Sequence, residues 1–467
     1  MMEGNSFSGL RHRYAIRAVK AINVLLVWTP IAICWFGYYV DRTQMQLTWK
    51  RSVAILGLYI VFYCVLGKAY DAFLVSYNRI FEMFLGQMVA ILLTDAISFI
   101  VLWIVNWYFP NMFPALLALI AQLGLSALWC AVAHRWYYHM YPPRRAAVIY
   151  DMREGMENLL REYGLDKKFQ VCKVVHVDDC IKDLSVLDEM QTVFFSGIHS
   201  HERNIILKYC VEKNITGLII PRVGDVIMSG AKQMHLFHLP MLRVERYNPS
   251  PEYLMIKRFL DILMSGVMLI IASPFMLITA IAIKAEDHGP VFYKQVRLTK
   301  DRKEFKIMKF RSMRVDAEKD GVARLSSGDN DDRITKTGKF IRKCRVDELP
   351  QLINILKGDM SFVGPRPERP EIAKQYEEEM PEFSLRLQAR AGLTGYAQVY
   401  GQYNTTPYDK LLMDLTYIAN PSTRQDVMLF FSTIKILFMK ESTEGIDSGQ
   451  TTALATDRKI EKRETGE

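Results

Sequence analysis

Asp347 and Glu348 stand side by side, and four cations lead up to them: Lys339, Arg342, Lys343 and Arg345. Flanking cations favour the ionised form of a carboxylate, which suits a nucleophile or a metal ligand. Leu349, Leu352, Ile353 and Leu356 follow at helical spacing. Pro350 is tolerable only in the first turn of such a helix, and Gly358 supplies its stop. The pair is therefore expected at or near a helix N-terminus, where backbone N–H groups and the helix dipole favour anions. Next comes Ser361-Phe362-Val363-Gly364-Pro365-Arg366-Pro367. Two prolines stiffen the backbone around Arg366 and Gly364 permits a tight turn. A rigidly held guanidinium suits bidentate phosphate recognition. An isolated Asp-Glu pair would be a cap on a solvated face. Pair, cation cluster and stiff loop together, all between 339 and 367, favour an anion site.

Such a site must be positioned, and the chain is long enough to do it with several domains. It has 467 residues, 50% of them hydrophobic and 12% aromatic, with the apolar residues gathered in blocks that point to membrane segments. The formal charge of +9 fits anionic headgroups and phosphorylated substrates. No basic stretch carries a recognisable nucleic-acid motif, so no nucleic-acid partner is expected. Seven scattered cysteines show no metal-ligand spacing and are read as reduced thiols in a cytosolic setting.

Residues 1–145 form the first block. A basic tail without a cleavage site precedes four apolar spans, about Ala21–Val40, Ser52–Leu66, Phe84–Trp107 and Phe113–His134. They predict a four-helix transmembrane bundle. The cations of the tail, Lys68 with Arg79, and Arg135 with Arg144 and Arg145 put both of its ends inside. Arg42, Lys50 and Arg51 lie in the opposite loop and argue weakly against this. Asp95, the only acid within a span, is read as a partner for a polar group on a neighbouring helix.

Residues 146–248 alternate between strand-like and helical stretches. Ala146–Tyr150, Phe169–Val175, Thr192–Phe195 and Gly217–Ile220 predict strands, with Met241–Val244 as a last one. Met152–Tyr163 and His201–Lys213 predict helices. The pattern argues for an α/β, Rossmann-like domain. Its first turn, Tyr150 to Gly155, lacks a dinucleotide glycine fingerprint. A regulatory or homo-oligomerising module is the plainer expectation.

Residues 255–440 carry the chemistry. An apolar run from Phe259 to Ile283, broken only by Asp261 and small residues, is long enough to cross a membrane. A fifth crossing would put Asp347 outside, across the membrane from the basic tail. Ser273-Pro274 sits mid-run and both flanks are basic, so a re-entrant helix–break–helix is predicted, dipping into one leaflet. Lys300, Arg302 and Lys303 are read as contacts to membrane lipid headgroups. Residues 315–333 read as a mobile loop, Leu429–Met439 as an interfacial helix, and 441–467 as a disordered tail.

VDELPQL, LKGDMSFVGPRP and AGLTGYAQV are long, ordered and jointly specific. With them the stretch 255–440 resembles the bacterial sugar transferases, which move a sugar 1-phosphate from a nucleotide sugar to a polyprenyl phosphate. Larger members of that family also carry four membrane helices and a middle module. The resemblance implies a mainly α, monotopic catalytic domain with the same Ser-Pro break. It implies a UDP-sugar donor, undecaprenyl phosphate as acceptor, Mg2+ on the diphosphate, and a cytosol-facing catalytic part in the bacterial inner membrane. By resemblance Asp347 is the nucleophile, Glu348 a metal ligand, and Arg342 and Arg366 phosphate binders. Lys309, in Lys309-Phe310-Arg311-Ser312-Met313, assists, and Asp414 and Asp426 support the site. The chain departs from the family pattern with Ala391 before the first glycine of AGLTGYAQV, Tyr396 after the second, and Tyr400-Gly401-Gln402 where Asn-Gly-Arg is frequent. Those positions bear on base and sugar preference. Glucose or galactose is the expected sugar, and initiation of exopolysaccharide or capsule synthesis the expected role. The rival readings are a non-catalytic nucleotide-sugar sensor or assembly scaffold, and a glycosyltransferase releasing UDP instead of UMP.

Overall fold

The computed structural model describes residues 2–43, 49–314, 333–401 and 405–436. The expected loop at 315–333 lies almost wholly outside the described residues, as do the tail and the last residues of the Leu429–Met439 helix. The chain divides into two compact units, Met1–Ile220 and Pro221–Glu467.

The first unit opens with helices α1 (Met2–Cys34), α2 (Trp49–Ala69), α3 (Ile80–Asn106) and α4 (Phe113–Met140). All four are long and apolar enough to cross a membrane. The second, expected to be short, has 21 residues, about 30 Å at 1.5 Å per residue and enough for a hydrocarbon core. Their mutual faces are not purely apolar. Asn23, Gln87, Thr94, Gln122 and Ser126 are buried there. Asn23 donates to Gln87 at 3.0 Å, and Tyr63 donates to Asn23 at 2.8 Å. Asp95 accepts from the Tyr59 hydroxyl of α2 at 2.7 Å, the interhelical partner expected for it. Away from water, paired polar groups are the only tolerable ones.

The same unit continues with β1 (Arg144–Tyr150), α5 (Met156–Glu162), β2 (Phe169–His176), α6 (Val177–Lys182), β3 (Thr192–Ser196), α7 (Ser200–Glu212) and β4 (Thr216–Ile219). The four strands form one parallel sheet in the order β2-β1-β3-β4. Apolar runs buried on both faces, such as Ala146 to Ile149 and Val193 to Phe195, give this α/β layer its core.

The strand expected at Met241–Val244 does not join that sheet. In the second unit, after α8 (Val223–Ser229), β5 (Lys232–Leu236) and β6 (Leu239–Arg243) form an antiparallel hairpin. Phe237 and His238 between them both have positive φ, 53° and 62°. That two-residue turn folds β6 back on β5 instead of carrying it across the sheet.

Helix α9 (Pro251–Asp287) follows, 37 residues long. It runs through Ser273 and Pro274 without interruption, so the expected two-piece helix is one helix. The Ser273 hydroxyl donates to the Ile270 carbonyl at 2.8 Å, as a serine beside a helical proline can. Next come the antiparallel pair β7 (Phe292–Leu298) and β8 (Glu304–Phe310), then α10 (Lys336–Lys343), α11 (Gln351–Lys357) and β9 (Ser361–Val363). Helix α12 (Pro370–Glu379), β10 (Gly392–Thr394), α13 (Tyr396–Tyr400), α14 (Pro407–Ala419) and α15 (Thr423–Ile436) complete the described chain. β9 and β10 pair in parallel. Their core gathers Ile307, Leu352, Ile355, Phe362, Leu411, Leu415 and Leu429.

The polar residues of α9 fasten it to this core. Asp261 accepts the Phe362 N–H at 2.8 Å and the Ser361 hydroxyl at 3.1 Å. Arg258 donates to the carbonyls of Ile355 and Leu356 at 2.7 and 2.8 Å, satisfying the end of α11. At its other end, Glu286 accepts the N–H groups of Lys336 and Thr337, at 2.9 and 3.2 Å, at the start of α10. Asp261 is thus a brace, and hydrogen bonds to a charged group each contribute roughly 1.5–3 kcal/mol. Asp261→Ala should lower the thermal unfolding midpoint of the detergent-solubilised chain. Asp261→Asn, which keeps an acceptor, should lower it less. Equal midpoints for Asp261→Ala and wild type would contradict this role.

Candidate active site

Arg345 adopts a left-handed backbone, φ 53°. That turn ends α10 and starts a single 3-10 turn, Val346–Glu348. The acidic pair therefore sits on this turn, ahead of α11, and not in the helix itself. Pro350 is the N-cap of α11 and Gly358, with φ 94°, its C-cap, as the sequence indicates.

The two carboxylates have different surroundings. Glu348 Oε1 lies 2.9 Å from Lys309 Nζ on β8 and 3.1 Å from a terminal nitrogen of Arg366. Arg345 approaches Oε2 at 4.0 Å. Burial alone would raise Glu348, but Lys309, Arg366 and Arg345 outweigh it and hold it well below the ordinary carboxylate range. Asp347 is half-buried. Among the described residues it makes no hydrogen bond or ion pair at contact distance. Burial, and then the charge of Glu348, push it up to about 6, against the pull of Lys309, Arg342 and Arg345. The expectation that cations simply hold both groups ionised thus applies to Glu348 but not to its neighbour. Arg342, one turn before the pair, has a buried Nη1 without a hydrogen-bond partner. A buried donor left unsatisfied is costly, and an incoming phosphate oxygen would satisfy it.

The Arg366 loop is held from behind. Its carbonyl accepts from Arg386 at 2.9 Å, and Arg386 is clamped by Asp414 at 2.6 and 2.9 Å, with Asp414 buried. Arg297 donates to the Pro367 carbonyl at 3.1 Å. The glycines here serve backbone contact. A Cβ on Gly392 would fall 2.2 Å from the Gly364 nitrogen, and one on Gly395 2.2 Å from the Gly364 oxygen. No side chain fits where two turns touch backbone to backbone.

Asp414 therefore supports the site through Arg386. Asp426 lies under the strand that leads to the loop. It accepts from Tyr253 at 2.8 Å and Tyr417 at 2.7 Å, and pairs with Lys257 at 3.0 Å. Lys257 also donates to the Val363 carbonyl at 3.0 Å. Lys309, Glu348 and Arg366 meet directly; Ser273 and Pro274 belong to α9 and have no contact with this cluster. Sequence reasoning missed Arg386, Lys257 and Asp261 as supports. One signal was present: Lys257, Asp261 and Ser265 recur every fourth residue in an otherwise apolar helix, marking a single polar face.

No three His, Cys, Asp or Glu among the described residues converge on a metal position. Mg2+ commonly needs only one or two carboxylates plus substrate phosphates. The unpaired Asp347 beside Glu348 fits that donor set.

An acid without a partner among the described residues, beside Lys309, Arg342 and Arg345, is the arrangement of an anion site. The comparisons give the family. Residues 252–440 match the family model described as bacterial sugar transferase. An Aeromonas hydrophila protein named UDP-N-acetylgalactosamine-undecaprenyl-phosphate N-acetylgalactosaminephosphotransferase is 39% identical over 234 residues, which cover 50% of this chain and 54% of that one. A Caulobacter vibrioides UDP-glucose:undecaprenyl-phosphate glucose-1-phosphate transferase is 37% identical over 191 residues, 40% of this chain and 71% of that protein. A Rhizobium leguminosarum exopolysaccharide production protein is 40% identical over 190 residues, 39% of this chain and 94% of that one. The match spans only about half of the Aeromonas relative, whereas the shorter relatives are covered through most of their length. The chain belongs to the bacterial sugar transferase family, and its apolar N-terminal helices are those of a large form.

The clamp on Arg366 is testable. Breaking a buried ion pair from one side costs about 3–5 kcal/mol. Asp414→Ala should therefore cost more stability than the double change Asp414→Ala with Arg386→Met, as measured by thermal unfolding. A double variant no more stable than the single one would contradict the clamp.

Proposed function

We propose that the chain transfers a hexose 1-phosphate from a UDP-sugar to undecaprenyl phosphate, releases UMP, and so initiates an exopolysaccharide or capsule. The observation that carries this is the asymmetry of the pair: Glu348 is tied to Lys309 and Arg366, while Asp347 faces the same cations unpaired. An Asp347 oxygen attacks the phosphorus next to the sugar. The bond from that phosphorus to the bridging oxygen breaks, and its electron pair leaves with UMP. An oxygen of undecaprenyl phosphate then attacks the same phosphorus. The Asp347–phosphorus bond breaks, giving a diphosphate-linked lipid and a free carboxylate. Arg342 and Arg366 bind phosphate oxygens through both steps, and Lys309 holds Glu348 in place. Mg2+, held by Asp347 or Glu348 together with substrate phosphates, would neutralise the diphosphate. Glucose or galactose fits the large form; the Aeromonas relative's name adds N-acetylgalactosamine to the candidates.

Asp347→Asn should abolish both UMP release and any phosphosugar adduct on the protein. An active variant would remove Asp347 as the nucleophile, and release of UDP would indicate transfer of the sugar alone. The attacking form is the anion, so the rate should fall as pH drops below about 6, roughly tenfold per unit. A rate flat down to pH 4.5 would contradict that assignment.

The site is proposed to face the cytosol at the bacterial inner membrane, with α9 re-entrant. Support comes from both ends of α9 bonding one unit, Arg258 and Asp261 with 355–362 and Glu286 with 336–337. Ile283 packs with Phe310 and Ile341, and Met264 with the core around Leu352. A straight helix would set Arg258 and Glu286 about 42 Å apart, enough to put them on opposite faces of a core about 30 Å thick. Outward-facing Phe259, Ile270, Ile271, Phe275 and Ile278 are all exposed, as lipid-facing side chains would be. A cysteine at exposed Lys294, just after α9, should react with an impermeant thiol reagent only from the cytosolic side of oriented membranes. Reaction only from the outside would mean a full crossing.

A further inference from the structure

At the end of the four-helix block where α1 meets α2 and α3 meets α4 lies a cleft of about 560 Å³, lined by Tyr38, Arg42, Asn106, Tyr108, Phe109 and Asn111 among others. Its walls are tied to one another. Tyr39 donates to the Asn111 carbonyl at 2.6 Å, Asn111 to the Tyr38 hydroxyl at 3.0 Å, and Tyr108 to the Arg42 carbonyl at 2.5 Å. Two departures from regular backbone shape it. The end of α1 widens into a π-helix at Trp35–Tyr39, a feature frequent at functional sites. Trp107, after α3, has φ 59° and is 90% exposed, an unusual conformation for a bulky residue.

The unmet demand is at Arg42. Its guanidinium stacks on the Tyr38 ring, 3.9 Å from the centroid. Among the described residues it has no hydrogen-bond or ion-pair partner. Stacking fixes the plane of the cation and leaves its N–H groups pointing outward around the edge. The aromatic lining sits at the end of four membrane helices, where tyrosine and phenylalanine meet headgroups. Arg42 is also one of the cations that the charge distribution disfavours on this side. We propose that this cleft binds the phosphate of a membrane amphiphile, with Arg42 as the anion partner and the aromatic side chains against its glycerol or prenyl stem. The site is separate from Asp347 and does not depend on the transfer reaction.

The test uses the full chain, stripped of lipid in detergent and titrated by native mass spectrometry with dioleoylphosphatidylglycerol, undecaprenyl phosphate or dioleoylglycerol. The two phosphate-bearing lipids, or one of them, should be retained at least about tenfold better than dioleoylglycerol, as a charge-assisted site requires. Retention of both means that the phosphate is read alone; retention of one identifies its source. Arg42→Gln should remove that advantage, and Arg42→Lys should keep part of it. A cooperative thermal unfolding transition by circular dichroism reports that each variant is folded. If Arg42→Gln fails to fold, Tyr108→Phe, which frees the Arg42 backbone, should still weaken retention several-fold relative to wild type. Equal retention of dioleoylglycerol, or unchanged binding by the folded variants, overturns the proposal.

Discussion

One oxygen of Glu348 accepts both Lys309 from β8 and Arg366 from the loop after β9. A partly buried carboxylate is tolerable only when paired, and removing a partner leaves a charge stranded. The contact therefore does two things. It joins two segments far apart in sequence at one point, and it commits one oxygen of Glu348 to the two cations. Asp347 is left as the acid without a partner among the described residues, within electrostatic reach of Lys309, Arg342 and Arg345. The asymmetry comes from backbone geometry. Adjacent residues on a 3-10 turn project in different directions, so one reaches the cation pair while its neighbour faces the opening.

That arrangement would be loose without what lies behind it. Arg366 is a long side chain with a large rotamer entropy to lose. Its backbone is fixed by Arg386 through Asp414, by Arg297 at Pro367, and by close contact among Gly364, Gly392 and Gly395. The strand before it is fixed by α9, where Asp261 accepts from Ser361 and Phe362, and Lys257, paired with Asp426 of α15, donates to Val363. Arg366 is thus held by a chain of contacts that ends in α9.

Much of this was legible in the sequence where the cause was local. Pro350 and Gly358 bound α11 because proline and glycine limit the backbone by themselves. The four parallel strands were legible as apolar runs, and the four long helices as apolar blocks. What escaped was set by distant partners. Nothing near Arg345 announces a left-handed turn, so the pair was legible as lying at or near the start of α11, but not the 3-10 turn that carries it. Asp414 and Asp426 gave no sign of their roles, since Arg386 and Tyr253 are remote in sequence. Met241–Val244 has strand composition, but the turn at Phe237-His238 decided which strand it would pair with. The cations before Asp347 suggested two ionised acids. Burial and mutual repulsion, which depend on the fold, separate them.

Helix α9 meets two demands that normally conflict. Its outer face must be apolar to lie in lipid, yet each polar group on it must be satisfied, because an unpaired one would cost several kcal/mol there. The chain meets both by placing Lys257, Arg258 and Asp261 within little more than one turn and giving each a backbone or buried partner in the catalytic part. None of these groups then has to reach for water or headgroups, and the depth of the helix is tied to the position of the strand that carries Arg366. Glu286 does the same for the start of α10, which leads to Asp347. A catalytic part bonded at both ends of one apolar helix keeps Asp347 at a fixed place relative to that helix. The proposed transfer between a water-soluble donor and a lipid-borne phosphate would use that constraint, because the lipid's phosphate cannot leave the interface to meet the acid.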